Sequence, residues 1–179
     1  QKDTSAIVAA VQTSLSDFAE SEIVSRFGGT VRYSRIVGSI DDADQSITRN
    51  TTRLRMRKNI GVALNTFASY EICYENSIDD EGLFSSVYST GFSFAGDEEI
   101  YYFEDDPLSR GDIRLFHFDV FNEKVIDNKT FGTIDYSKGE IMLGEKIPFS
   151  IASTVLPNSI IEVRAYPLTV GQDIKAKRA

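Results

Sequence analysis

The sequence predicts an α+β fold, in which an N-terminal helix and a short helical turn precede a mainly antiparallel β-sheet. Two observations support this prediction. Apolar residues recur at helical spacing in the first part of the chain. From about residue 66, apolar and polar residues alternate in segments separated by turns rich in Asp, Gly and Pro. With 179 residues, the chain is long enough to bury a self-sufficient core.

The first predicted element is an amphipathic helix. Its apolar stripe follows steps of three and four residues through Ile7, Val11, Leu15 and Phe18. One of the polar residues 3–5 is expected to cap its start, and Gly28-Gly29 to end it in a left-handed conformation. The stripe is expected either to pack on the local sheet or to form half of a helix pair.

The segment after the helix predicts a strand, a helical turn and a second strand. Val31-Arg32-Tyr33 favours the first strand, and Ser34 is expected to cap a turn that runs to Ile40. The second strand places Leu54 and Met56 on one face and three arginines on the other, namely Arg53, Arg55 and Arg57. These arginines are expected either to contact acidic surface or to form a solvated edge that discourages aggregation.

The rest of the chain predicts antiparallel strands. They are expected within residues 70–75, 87–94, 113–121, 133–136, 140–143 and 160–166. Ser137-Lys138-Gly139 predicts a hairpin turn, and Pro167 closes the last strand. We therefore divide the chain into a helical and strand segment, 1–60, and a β-rich domain, 61–179, which together are also compatible with one compact unit.

The formal net charge of −8 is unevenly distributed. It is +2 over residues 1–60, −12 over 61–123 and +2 over 124–179. An acidic centre would repel a phosphate backbone, so nucleic acid is not expected as a partner. No apolar run is long enough for membrane insertion. Because the chain starts at Gln1 without a signal segment, we expect it to be a fragment or processed product of a longer chain.

A search for chemistry predicts no catalytic, cofactor or metal site. Cys73 and His117 are the only residues of their kinds, too few for a structural zinc tetrahedron. Asp42-Ala43-Asp44 resembles the opening of a calcium loop, but Ile47 and Arg53 occupy the positions of its glycine and glutamate. The acid clusters 79–81, 97–99 and 104–106 are interpreted as solvated surface charge. We therefore do not expect an enzyme.

Two other classes of function stay open. A carbohydrate- or receptor-binding β module of a virion would use exposed aromatics, for which Tyr88, Tyr101, Tyr102 and Phe103 are available. An acid–base hydrolase would need two loop carboxylates across a cleft.

Several short motifs, taken in order, carry a family resemblance. They are Phe27-Gly28-Gly29, Tyr33-Ser34-Arg35, Ile40-Asp41-Asp42-Ala43-Asp44, Asn50-Thr51-Thr52, Met56-Arg57-Lys58 and the run from Gly132 to Ile141. In this order they resemble the C-terminal region of the T-even-type bacteriophage baseplate wedge family, gene product six, and more loosely the baseplate J-like proteins of contractile tails. The resemblance covers most of residues 15–60 and 130–175 and leaves the acidic stretch 76–125 unassigned.

The resemblance implies a late structural protein of a virion, assembled in the host cytoplasm into a contractile-tail baseplate. Members of the family form homodimers and link neighbouring wedges into a ring around the hub. The implied partners are therefore a second copy of the chain and other baseplate wedge proteins. Candidate interface residues are the three arginines, Arg53, Arg55 and Arg57, and the apolar stripe, Ile7, Val11, Leu15 and Phe18.

Overall fold

The chain divides into two compact units. A computed structural model describes residues 3–21, 30–81, 84–169 and 174–175. One unit comprises Gln1–Leu54 with Thr169–Ala179, and the other comprises Arg55–Leu168. The predicted helix stop at Gly28-Gly29 lies outside the described residues.

The first unit contains two helices and a short strand pair. Helix α1 spans Thr4–Glu20 and helix α2 spans Tyr33–Asp41, while strands β1, Thr30–Val31, and β13, Ile174–Lys175, pair antiparallel. The two helices contact each other, and the Ser14 hydroxyl donates a hydrogen bond of 2.7 Å to the Ser39 carbonyl. The predicted first helix is confirmed, but it ends at Glu20, before the predicted stop, and the Ser21 amide donates to the Phe18 carbonyl at its end. The second begins at Tyr33, inside the predicted strand, because Arg32 takes the N-cap position expected for Ser34.

The second unit is an antiparallel β structure. Its eleven strands are β2 Met56–Gly61, β3 Phe67–Ala68, β4 Tyr70–Cys73, β5 Val87–Ser89, β6 Phe92–Phe94, β7 Tyr101–Asp105, β8 Asp112–Phe118, β9 Lys124–Asp135, β10 Glu140–Leu143, β11 Phe149–Thr154 and β12 Ile160–Ala165. The main path of the sheet runs β2-β12-β5-β7-β8-β9-β10-β4. Strand β6 joins β7 to β11, and β3 pairs with β11, so the sheet is nearly closed and barrel-like.

The predicted α+β class is wrong, because the fold is mostly antiparallel β. Strands account for 41 % of the described residues and helices for 16 %, so helix is the minor component. The prediction missed β3, β7, β11, β13 and residues 124–132 of β9, and it joined β5 and β6 into one strand. In β9 the residues before Phe131 are mostly exposed and charged or polar, so no apolar face revealed the strand. Only its end, within 133–136, carried the expected alternation.

Inward-facing apolar side chains fill the centre of the second unit. The bulkiest ones that are almost fully buried are Ile78, Phe92, Phe103, Ile113, Ile141, Leu143 and Ile151. Along β10 and β11, Ile141, Leu143 and Ile151 alternate with half-buried or exposed residues, as expected for strands with one covered face. Their burial is the main stabilising contribution to this unit.

The predicted hairpin between β9 and β10 is confirmed. Gly139 has φ 69°, and its amide donates a hydrogen bond of 2.8 Å to the Asp135 carbonyl. A Cβ atom at this position would lie 2.0 Å from the Asn76 carbonyl oxygen. Glycine is therefore required both by the left-handed backbone and by the close approach of a neighbouring loop.

The acid cluster 104–106 is buried, which corrects its interpretation as solvated surface charge. Glu104 is only 1 % exposed, and its Oε1 accepts hydrogen bonds from Arg114 Nε at 2.9 Å and Nη2 at 2.7 Å. Lys124 Nζ also donates to it, with distances of 2.8 and 2.9 Å to the two carboxylate oxygens. Asp106 accepts from Arg114 Nη1 at 3.1 Å and from the Leu108 amide at 2.9 Å. Charge-assisted pairing offsets the desolvation of these carboxylates.

Asp105 points to the other side of β7 and is held by neutral donors. Its Oδ1 accepts the backbone amides of Ser86 and Val87, each at 2.7 Å, and its Oδ2 accepts the Tyr136 hydroxyl at 2.8 Å. Burial raises the pKa of the Asp105 carboxyl, although these hydrogen bonds oppose the shift. One side chain thus connects the start of β5, strand β7 and the end of β9.

We expect Asp105→Ala to lower the free energy of unfolding by about 3 kcal/mol or more, because it leaves two buried amides and a hydroxyl without their acceptor. Asp105→Asn should cost less, since its amide oxygen can still accept from Ser86 and Val87. Glu98→Ala, at an exposed acid, serves as the control and should change stability by less than about 0.5 kcal/mol. Urea unfolding of the three variants measures this, and equal effects of Asp105→Ala and Glu98→Ala would contradict it.

Candidate assembly surfaces

The three predicted interface arginines all lie at the protein surface. Along residues 53–57 exposure alternates, with Arg53, Arg55 and Arg57 exposed and Leu54 and Met56 half-buried, as the predicted alternation requires. Regular strand structure starts only at Met56, so the predicted strand begins later than expected. Arg53 belongs to the first unit, and Arg55 and Arg57 belong to the second.

Arg57 pairs with a carboxylate of its own chain. Its Nη1 lies 3.4 Å from Glu162 Oε2 on the adjacent strand β12. Glu162 is nearly buried and is also held by Arg164, whose Nε donates to Oε1 at 2.6 Å. This acid lies outside the acidic stretch 61–123. Because two arginines share one carboxylate, the group keeps a net positive charge.

Arg55 packs on an aromatic ring. Its Nε donates to the Tyr166 hydroxyl at 2.8 Å, and its Cζ lies 4.9 Å from the centre of that ring. Next to it, burial and then the charge of Glu104 raise the pKa of the Tyr88 hydroxyl. These groups surround an open cavity of about 330 Å³, which we call the arginine pocket; it is lined by Arg55, Tyr88, Ser89, Thr90, Glu162, Arg164 and Tyr166.

Sequence analysis identified Arg55 but missed the rest of this pocket. Glu162, Arg164 and Tyr166 alternate along the last predicted strand, which was an available signal of one polar face. Their position beside Arg55 and Arg57 follows only from the pairing of β12 with β2, in which Arg164 is opposite Arg57.

The apolar stripe of α1 is only partly covered. Ile7, Val11, Leu15 and Phe18 are all half-buried, and no residue of α1 or α2 is buried. Contact with α2 therefore shields part of the stripe, and the helix pair keeps apolar surface in contact with solvent. Such surface is a common feature of protein–protein contacts.

His117 is paired with a carboxylate on the neighbouring strand. Its Nδ1 lies 2.8 Å from Asp127 Oδ2, and its ring packs edge-on against Tyr101 with 5.7 Å between ring centres. The hydrogen bond to Asp127 raises the pKa of His117. The pair connects β8 with β9 and stabilises the charged imidazole.

The described residues contain no group of His, Cys, Asp or Glu side chains that could hold a metal ion. At the calcium-like segment, Asp44 Oδ1 accepts the Ser46 amide at 2.9 Å, and the Asp44 carbonyl accepts the Ile47 amide at 3.0 Å. The side chain therefore stabilises a turn. Of the helices in the described part of the chain, none has the length and apolar character of a membrane span.

The four aromatics proposed as a carbohydrate platform do not share one surface. Phe103 is 1 % exposed and belongs to the core. Tyr101 donates its hydroxyl to Asp97, which raises the pKa of Tyr101 to about 12. Tyr88 lines the arginine pocket, whereas Tyr102 stacks on Phe116.

Comparison with known families indicates a structural role. Residues 1–59 match the model of a family described as baseplate structural protein gp6, C-terminal domain III. The predicted resemblance is confirmed over this segment, which therefore indicates a baseplate structural protein located in the virion tail. A structural family agrees with the prediction that the chain is not an enzyme. Residues 130–175, the other part of the predicted resemblance, lie outside the match. No curated protein matches the chain.

We expect the His117 imidazole to titrate above its usual pKa of about 6.5, and Asp127→Asn to lower that value. Since the folded pKa is raised, the stabilisation is fully present below the unfolded pKa and is lost as pH rises through the folded pKa. With one histidine in the sequence, NMR titration of its ring protons is unambiguous. An unchanged pKa in Asp127→Asn would contradict the assignment, and Glu98→Gln provides the control.

Proposed function

We propose that this chain is an assembly segment of a contractile-tail baseplate, where it forms dimers and helps to link neighbouring wedges into a ring around the hub. The family match over residues 1–59 carries this proposal. The partners are a second copy of the chain and other wedge proteins. Assembly takes place in the host cytoplasm, late in infection.

The arginine segment supports this function through its exposure and charge. Arg53, Arg55 and Arg57 are exposed, and the Arg57 side chain stays 66 % exposed although it pairs with the nearly buried Glu162. The arginines thus remain available to acidic surface of a neighbour, where charge complementarity speeds association and fixes the relative register of the subunits.

The α1 stripe supports dimer formation. Its four apolar residues remain half-exposed beside α2, and a second copy of the helix pair would remove them from water. A two-fold contact uses the same patch on both subunits, and the stripe is apolar enough to face itself. The arginine contact and the stripe would then connect each copy to different neighbours.

We expect the triple variant Arg53→Ala/Arg55→Ala/Arg57→Ala to reduce the yield of assembled baseplate at least tenfold while the chain stays folded. A control variant, Lys129→Ala/Lys138→Ala/Lys146→Ala, removes the same charge from other exposed positions and should assemble normally. Electron microscopy of particles counts assembly, and circular dichroism checks folding. Unchanged assembly and ring stability in the arginine variant would refute the role of this segment.

We expect Leu15→Ser/Phe18→Ser to convert a dimer of the chain into a monomer, because the apolar contact loses two central side chains. Ala9→Ser/Ala19→Ser changes the exposed face of the same helix and should leave the dimer intact. Light scattering in about 1 M salt, where the Debye length is about 3 Å, isolates this apolar contact from charge pairing. A wild-type chain that is monomeric at every concentration would exclude pairing through α1.

A further inference from the structure

The turn between β8 and β9 presents two apolar side chains to solvent. Val120 is 93 % exposed and Phe121 is 82 % exposed. The turn is nevertheless fixed, because Asp119 Oδ1 accepts the amides of Phe121 at 2.9 Å and Glu123 at 2.8 Å. Asn122 adopts φ 61° and donates its amide to the Asp119 carbonyl. A preorganised apolar protrusion loses little conformational entropy when it binds.

The apolar surface continues from the turn onto the outer face of the sheet. Phe116 packs against Tyr102 and Phe118, with 5.5 Å between ring centres in both pairs. Beside them, Ile100 and Val155 converge at Gly91, where a Cβ atom would lie 2.5 Å from Ile100 Cγ2 and 2.9 Å from Val155 Cγ2. Phe116 itself is buried, whereas Phe118, Ile100 and Val155 are exposed. Exposed apolar groups in one patch are typical of binding surfaces.

Acidic side chains surround this patch. Tyr101 is opposite His117, so the turn after β6 and the turn after β8 lie at the same end of the sheet. These turns contribute the exposed acids Glu98, Glu99 and Glu123. Asp127 is paired with His117, and Lys124 Nζ lies over the Phe116 ring, so the excess of negative charge comes from the three glutamates. If two copies met through the same patch, their acidic rims would face each other and repel. The occupant therefore has a positively charged surface that can also receive an aromatic side chain.

The arginine pocket has both properties. Its lining has two arginines, Arg55 and Arg164, and one carboxylate, Glu162, which Arg57 also pairs with from outside the lining. Tyr88 and Tyr166 provide aromatic walls. The pocket cannot receive the turn of its own chain. Across the strands, Tyr88 of the pocket is in line with Glu104 and Arg114. From Arg114, strand β8 runs about 13 Å further to Phe118, at roughly 3.3 Å per residue. The turn begins beyond Phe118, so it lies too far from the pocket of its own chain.

We propose that the β8–β9 turn of one copy inserts Phe121 into the arginine pocket of a second copy, while the surrounding acids face its arginines. This inference rests on the proposed function, which assigns the arginine segment to a subunit contact. The contact uses two different surfaces, so it is head-to-tail and generates either a ring or an open filament.

Substitution of the inserted side chain tests the apolar part of the contact. Phe121→Ser should weaken self-association of the chain at least tenfold in sedimentation velocity. Phe84→Ser is the matched control, because Phe84 is the same residue type with the same exposed fraction, 82 %. Equal association of the two variants would overturn the proposal, and so would a wild-type chain that stays monomeric up to about millimolar concentration.

Charge reversal tests the identity of the occupant. Glu98→Arg/Glu123→Arg makes the turn region basic, and Arg55→Glu/Arg57→Glu makes the pocket acidic. Each variant alone should fail to associate in low salt, whereas an equimolar mixture should associate, because each turn then meets a pocket of opposite charge. A mixture that stays monomeric would overturn the proposal. The proposal would also be overturned if Phe121→Ser lost baseplate assembly but kept the self-association of the wild type. Phe121 would then bind another protein of the baseplate and not a second copy of the chain.

The assembly role of the arginines and the insertion of Phe121 can be disproved separately. If replacement of the three arginines abolishes assembly while Phe121→Ser associates and assembles like the wild type, the assembly role stands and the insertion does not. If replacement of the arginines has no effect on assembly, the arginine contact fails and the insertion fails with it.

Discussion

The β-rich unit depends on three consecutive buried acids at the end of β7, namely Glu104, Asp105 and, directly after the strand, Asp106. Each carboxylate has lost its hydration and needs nearby donors, which fixes what can surround β7. Arg114 and Lys124 meet this need on the outer face, and two amides and the Tyr136 hydroxyl meet it towards the core. Strands β5, β8 and β9 are therefore connected to β7 by charge-assisted hydrogen bonds, in addition to the backbone pairing of β5 and β8 with β7. Removal of either cation would leave Glu104 buried with too few partners.

This constraint also shapes the outer surfaces of the unit. Lys124 Nζ, paired with Glu104, lies 4.3 Å from the centre of the Phe116 ring, so the outer patch of Tyr102, Phe116 and Phe118 carries one cation. The exposed acids of the neighbouring turns, Glu98, Glu99 and Glu123, lie beyond it at the end of the sheet. Two strands away, Arg55, Arg57 and Arg164 share one carboxylate and leave that surface positive. One rigid unit thus carries two surfaces of opposite charge at fixed positions. A component that connects copies within a larger assembly needs this property.

The elements that were predicted correctly are those with local signals. The stripe of α1 and the hairpin closed by Gly139 depend on residues within a few positions of each other, and the last strand shows regular alternation. Strand β7 was missed because three consecutive acids indicate a solvated turn, and their partners lie up to 31 positions away. The arginines were found by alternation alone. The pocket beside them was not found, because β2 and β12 are about a hundred residues apart in sequence.

Cryo-electron microscopy of assembled baseplates that contain this chain tests the central claim most directly, namely that the opposite-charge surfaces of the β-rich unit are subunit contacts. We expect density of a neighbouring subunit over Arg55, Arg57 and Arg164 and around the turn at Val120 and Phe121. The equally exposed Phe84 should face solvent. A reconstruction in which both charged surfaces are open to solvent while the chain is held through other surfaces would contradict the claim.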